Sequence, residues 1–257
     1  MRGRRFLTLA AVATALTAGT SALAGEPRAV IELFTSQGCS SCPPADKLLA
    51  DLAHDPKLIP LSLPIDYWDY LGWKDTLALP GHAKRQKAYS HMRGDHEGVY
   101  TPQAVINGSV QALGSDHAAI ENAIAESRHN SATLSVPLTL TVDNGQLTVT
   151  APAGANEMSA EAWLCPVTKS VAVAIERGEN TGKTFTYHNV VRRWVKLGAW
   201  NGKASTWSIP VADFKSDGID AVAVILQSGA AAAPGPMLGA AFMSLDASGT
   251  EAQTVKQ

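Results

Sequence analysis

Cys39-Ser40-Ser41-Cys42 is the segment of this 257-residue chain whose residue types and spacing point most directly to chemistry. Two intervening residues in a helical turn hold the sulfurs close enough to alternate between a dithiol and a disulfide. The pair follows a strand-like run and opens a helix-like one. Unpaired N–H groups at a helix start favour a thiolate on the first cysteine. That thiolate attacks a substrate disulfide, and the second thiol resolves the mixed disulfide. Cys39 is therefore the expected nucleophile and Cys42 the expected resolving cysteine. Pro43-Pro44 fit a first helical turn, but a helix starting only there places Cys39 one turn ahead of it and weakens the dipole effect. Half a zinc site is an alternative, although the chain has no second cysteine pair. An inert structural disulfide is another, although so short a loop removes little unfolded-state entropy.

Thr101-Pro102 stands directly before a short strand, where proline can begin the strand or form a cis turn. In this element order a cis bond faces the first helix's N-terminus and offers the Thr101 backbone to a substrate peptide, so Thr101 and Pro102 are the expected substrate-binding pair. The alternative is an ordinary loop proline. Tyr67, Trp68, Tyr70 and Trp73 suit either a peptide groove or packing between elements. His82, His91 and His96 with Met92 raise a copper site, but His82 and His91 fall on different helical faces, and no metal is expected. The run Gly178 to Thr184 imitates a phosphate loop with one residue too few between its glycines and reads as a hairpin turn. Arg192, Arg193 and Lys196 with Trp194 and Trp200 suit an acidic partner or a solvated strand face. Cys165 reads as a buried, inert thiol.

The elements that must position these residues change in texture along the chain. Strand-like runs at 29–34, 58–65 and 104–106 alternate with helix-like runs at 46–54, 81–93 and 115–127. Asn107-Gly108 forms a hairpin turn into Val110–Leu113. After about residue 130, alternation around Asp143-Asn144-Gly145 signals a hairpin, and further short strands follow at 162–164, 171–175, 184–191, 207–209, 221–226 and 240–245. Gly229 to Pro236 reads as a loop. The pattern predicts an α/β domain over 25–130 and an all-β sandwich over 131–257 with a short loose tail. The second unit is expected to contribute no catalytic group and to present or cover the redox face.

Composition bounds the rest. Lys plus Arg number 21 and Asp plus Glu 23, so the net charge is −2 and no global positive field points to nucleic acid. Arg2, Arg4 and Arg5, the apolar run from Phe6 and the Ala22-Leu23-Ala24 site make residues 1–24 an expected secretory leader. The expected location is periplasmic or secreted, with no stable membrane insertion after leader cleavage, in a compartment where disulfides persist.

The run Glu32 to Asp46, together with Asp66-Tyr67-Trp68-Asp69, Leu71-Gly72-Trp73-Lys74-Asp75, Arg85-Gln86, Tyr100-Thr101-Pro102-Gln103 and Tyr187 to Arg192, resembles a family of secreted bacterial proteins catalogued as domain of unknown function 1223. The resemblance implies a thioredoxin-like fold in the first half and a redox site, but no particular substrate. It also implies a buried acid near the second cysteine; Glu32, and comparably Asp66, are the candidate proton relays. The expected fold class is thus a thioredoxin-like α/β fold followed by an all-β sandwich. The expected activity is thiol–disulfide exchange with disulfide-containing or dithiol client proteins, without a cofactor. The alternatives are a binding protein with a static disulfide and a copper metallochaperone.

Overall fold

The computed structural model describes residues 27–94, 98–155 and 158–245. The expected leader, His96 and the expected loose tail lie outside them. The elements run β1 (Ala29–Thr35), α1 (Pro43–Leu52), β2 (Leu58–Pro64), α2 (Pro80–Arg93), β3 (Gln103–Ile106), β4 (Val110–Leu113) and α3 (His117–Ser127). There follow β5 (Thr139–Asp143), β6 (Gln146–Ala151), β7 (Ala160–Ala174), β8 (Thr184–Val191), β9 (Val195–Trp200), β10 (Ser205–Pro210), β11 (Ala221–Ala230) and β12 (Ala233–Ser244).

The helices begin and end where local chemistry dictates. Pro43 and Pro44 open α1, and Ala45, Leu49 and Leu52 form its buried stripe. Gly94, at φ 64°, terminates α2. The cap of α3 is Asp116, whose carboxylate accepts the Ala119 N–H at 3.0 Å, and not the neighbouring Ser115. In the second half β7 is one strand of 15 residues where the sequence suggested two short ones. The expected 229–236 loop is nearly all strand, because bulges in the β11–β12 ladder accommodate Gly229, Pro234 and Pro236.

The expected fold class is overturned. Strand makes up 42% of the described residues and helix 19%, with three α-helices among them, and no clear thioredoxin α/β pattern results. The body is instead a mixed nine-stranded sheet in the order β12-β11-β7-β8-β2-β1-β3-β4, with β9 also paired to β7. The second half is no separate sandwich. Its strand β8 runs parallel beside β2, meeting it at Ser62 and Val190. One hydrophobic core continues across the junction, with Val30 and Phe34 in the same cluster as Cys165, Val167, Ala223 and Ile225. The physical reason is coverage: joining the sheets supplies a partner for β2 and buries apolar faces that either half alone would expose. The remaining strands form a three-stranded sheet, β10-β6-β5, packed over Leu164, Val222, Val224 and Leu226.

Strand parity sorts β1. Ala29, Ile31 and Leu33 face α1 and α3, whereas Val30 and Phe34 belong to the core beneath α2.

Candidate functional site

Beyond β1 the chain turns through Ser36–Gly38 and enters the cysteine loop. Cys39 and Cys42 are joined in a disulfide with Cα atoms 5.4 Å apart. Cys42 is the N-cap of α1, so Cys39 lies a turn ahead of the regular helix. Both are buried: Cys39 retains 3% exposure and Cys42 none, while Ser40 and Ser41 are exposed. Cys39 is thus the sulfur nearer the surface.

The Thr101–Pro102 bond is cis, and its loop faces the disulfide. Thr101 O lies 3.9 Å from Cys39 Sγ and accepts the Ser41 hydroxyl at 3.4 Å. Trp68 Nε1 donates to Thr101 Oγ1 at 2.7 Å. Gly38 lets the loop pack closely here, because a Cβ would lie 3.2 Å from Trp68 Cβ and would need Trp68 to shift by a few tenths of an ångström. Tyr70 stacks on Trp68 with ring centroids 6.2 Å apart and is 76% exposed. Trp73 Nε1 donates to Gln37 Oε1 at 2.8 Å. Trp68 and Tyr70 therefore form a stacked shelf tied to the cis loop, Trp73 is tied separately to the cysteine loop, and Tyr67, beside Trp68, donates its hydroxyl to Gln86 of α2 at 3.2 Å.

Of the two candidate relays, Glu32 is held by partners away from the sulfurs. Glu32 shares the strand parity of Val30 and Phe34 and faces α2. Arg85 Nε and Nη2 donate to its carboxylate at 2.6 and 3.2 Å, and Tyr89 Oη donates at 2.6 Å. Asp66 is half-buried in the turn after β2, and its carboxylate has no hydrogen-bond partner among the described residues.

A buried acid does follow Cys42 in α1: Asp46. Its N–H donates to Cys42 O at 3.1 Å, and the two are four positions apart, so their side chains lie on one helix face a turn apart. Burial pushes the Asp46 carboxyl up to about 7; the Thr35 hydroxyl opposes this in part and the Asp75 charge adds to it. Asp46 Oδ1 and Thr35 Oγ1 are both buried, and although the hydroxyl is the carboxyl's polar neighbour, neither atom makes a hydrogen bond of normal geometry. Asp75, also buried, accepts the N–H groups of Gln37, Leu77 and Ala78 at 2.8, 2.9 and 3.0 Å. Burial raises it to about 6 despite those bonds. Tyr187 of β8 stays neutral through burial and the charges of Asp46 and Asp75. The spacing from Cys42 was a sequence signal for Asp46, since an acid within the buried stripe of α1 breaks its apolar pattern.

The second half also reaches the cysteine loop. The turn between β7 and β8 is the false phosphate loop. Its Asn180 is buried, and Nδ2 donates to Gln37 O and Cys39 O, each at 3.0 Å. Glu179 Oε2 accepts the Ser40 N–H at 3.3 Å. These contacts span about 140 residues of chain, and the turn's own sequence carried no sign of them.

No group of three or more His, Cys, Asp or Glu among the described residues is placed to hold a metal. His82 is buried and kept neutral, with burial lowering it to about 4, and its Nδ1 pairs with Pro64 O at 2.9 Å. Cys165 is a buried free thiol whose pKa burial raises strongly. Among the described residues no helix is long and apolar enough to cross a membrane.

A disulfide on a strand-to-helix loop, walled by residues from both halves, sits in a chain whose family match covers both halves. The chain is a member of the family described as "Protein of unknown function (DUF1223)", which matches residues 30–227. It is similar to a protein from Agrobacterium tumefaciens known from an X-ray crystal structure determined as a structural-genomics target. The two share 30% sequence identity and a TM-score of 0.79, over 89% of this chain and 99% of that one. No curated protein matches the chain.

Proposed function

We propose that the protein is an exported thiol–disulfide oxidoreductase that exchanges disulfides with protein or peptide clients through Cys39 and Cys42. The observation that carries this reading is the disulfide itself, closed over only two residues. A loop so short adds little to stability, so its formation is better explained by exchange than by architecture. In the oxidising direction a client thiolate attacks Cys39 Sγ and the Cys39–Cys42 bond breaks. Cys42 leaves as the thiolate and takes a proton from Asp46. A second client thiolate then attacks the client sulfur of the mixed disulfide, and Cys39 leaves as a thiolate. The client is oxidised by two electrons and the site reduced by two. In the reducing direction Cys39 attacks the client, and Asp46 takes the Cys42 proton as Cys42 resolves the intermediate. The cis loop and the Trp68–Tyr70 shelf are the surfaces against which the client segment lies. Thr101 supplies backbone polar groups and the shelf apolar area.

The test is Cys42→Ala in the full-length chain. It should accumulate client mixed disulfides on Cys39 that a reductant releases. Cys39→Ala should trap none. Equal trapping by both variants, or by neither, contradicts the reading.

A further inference from the structure

On the sheet face opposite α1 lies a cleft of about 520 Å³ between α2, Trp163 of β7, Trp194 in the connector from β8 to β9, and the turn after β11. This volume falls within the usual range of small-molecule sites, roughly 300–1,000 Å³. We propose that this cleft binds a small aromatic carboxylate, independently of the disulfide chemistry.

Three features define the ligand. The first is shape. Trp163 and Trp194 meet edge to face, with centroids 6.4 Å apart and planes at 74°. Such a corner stacks a flat ring on one indole while the other meets its edge. The remaining lining includes Gly81 and Ala88, which leave the slot unfilled.

The second is a buried cation with a free edge. The Arg85 side chain is only 10% exposed and lies 4.3 Å over the Trp194 ring. Its Nε and Nη2 are engaged by Glu32, Tyr89 and Gln227. Nη1 has no hydrogen-bond partner among the described residues, and Arg85 lines the cleft. A carboxylate oxygen is the matching acceptor for that edge.

The third is charge. Glu32 offsets Arg85, and Glu161 pairs with Lys196. Lys84 also lines the cleft, is exposed, and forms no ion pair among the described residues. One uncompensated positive charge at the mouth of an aromatic slot selects a ligand with one negative charge and a flat apolar body.

The experiment is calorimetric titration of the full-length protein with two probes, 2-naphthoate and indole-3-acetate, each beside its neutral amide. At least one carboxylate should bind saturably at one site with Kd below about 1 mM. Its amide should bind at least tenfold more weakly. Lys84→Glu, a change at an exposed position, should weaken the carboxylate at least tenfold while leaving the circular dichroism spectrum unchanged. Trp163→Ala should weaken both the carboxylate and the amide. No saturable binding by either carboxylate overturns the proposal. So does equal binding of acid and amide, or binding untouched by Lys84→Glu.

Discussion

Glu32 and Asp46 are buried carboxylates on opposite faces of the same sheet, and their surroundings differ in kind. Glu32 meets a guanidinium and a phenol, with Arg85 anchored further by Gln227. Asp46 has an orphaned oxygen, an acidic neighbour and a carboxyl pushed up to about 7. Burial is common to both and so does not mark function. What differs is completeness: a fully partnered charge fixes structure, whereas an unpartnered acid is free to gain or lose a proton. On the proposed function, the contrast makes Glu32 part of the architecture and Asp46 the candidate partner of the cysteine chemistry.

The largest effect should come from breaking the complete side. Glu32→Gln leaves the Arg85 charge buried without its counter-ion, and urea unfolding should show a loss of about 3–5 kcal/mol. A loss within experimental error would mean that Arg85 finds another partner and that the contrast is false.

Asp46→Asn should act in the opposite direction. Folding raises this carboxyl from 3.8 to about 7, so the native state binds the proton more tightly than the unfolded chain. Its contribution to stability is fully present below pH 3.8 and is lost as pH rises through about 7. Asparagine cannot ionise, so the variant should be more stable than the parent by about 2–4 kcal/mol at pH 8, with the gain vanishing near pH 4. It should also slow resolution of the mixed disulfide at pH 7 by roughly ten- to a hundredfold. Stabilisation that does not depend on pH would show that Asp46 never carries the charge.

How much of this was legible in the sequence follows from range. The cysteine pair, the Thr101-Pro102 turn and the Asn107-Gly108 hairpin are local features, and all three lie where the pattern placed them. Glu32 came from the family resemblance, which suggests an acid near the second cysteine but does not say which sheet face a residue of β1 takes; here it faces α2. The nine-stranded sheet was missed because the meeting of Ser62 with Val190 depends on burial summed over the molecule. Asn180 escaped for the same reason, since a turn's sequence says nothing of what the turn touches.

Asn180 sharpens the comparison between halves. Asn180→Ala removes two buried amide bonds to the cysteine loop and should cost about 1–3 kcal/mol. The Cys39–Cys42 reduction potential should shift with it, as a purely distant packing residue would not require. An unchanged potential would confine the second half to scaffolding. The smallest effect on stability belongs to Tyr70→Ala. At 76% exposure its loss should change unfolding by less than about 0.5 kcal/mol. Turnover of a protein client should nevertheless fall severalfold, and turnover of a small disulfide should not.

The central claim is that Cys39–Cys42 cycles. Equilibration of the full-length protein in defined thiol–disulfide buffers, read by alkylation and mass spectrometry, measures this directly. The account predicts a reversible two-electron couple between about −270 and −120 mV, the range of exchanging dithiols. A bond that stays closed below about −300 mV would be a static structural disulfide and would contradict it.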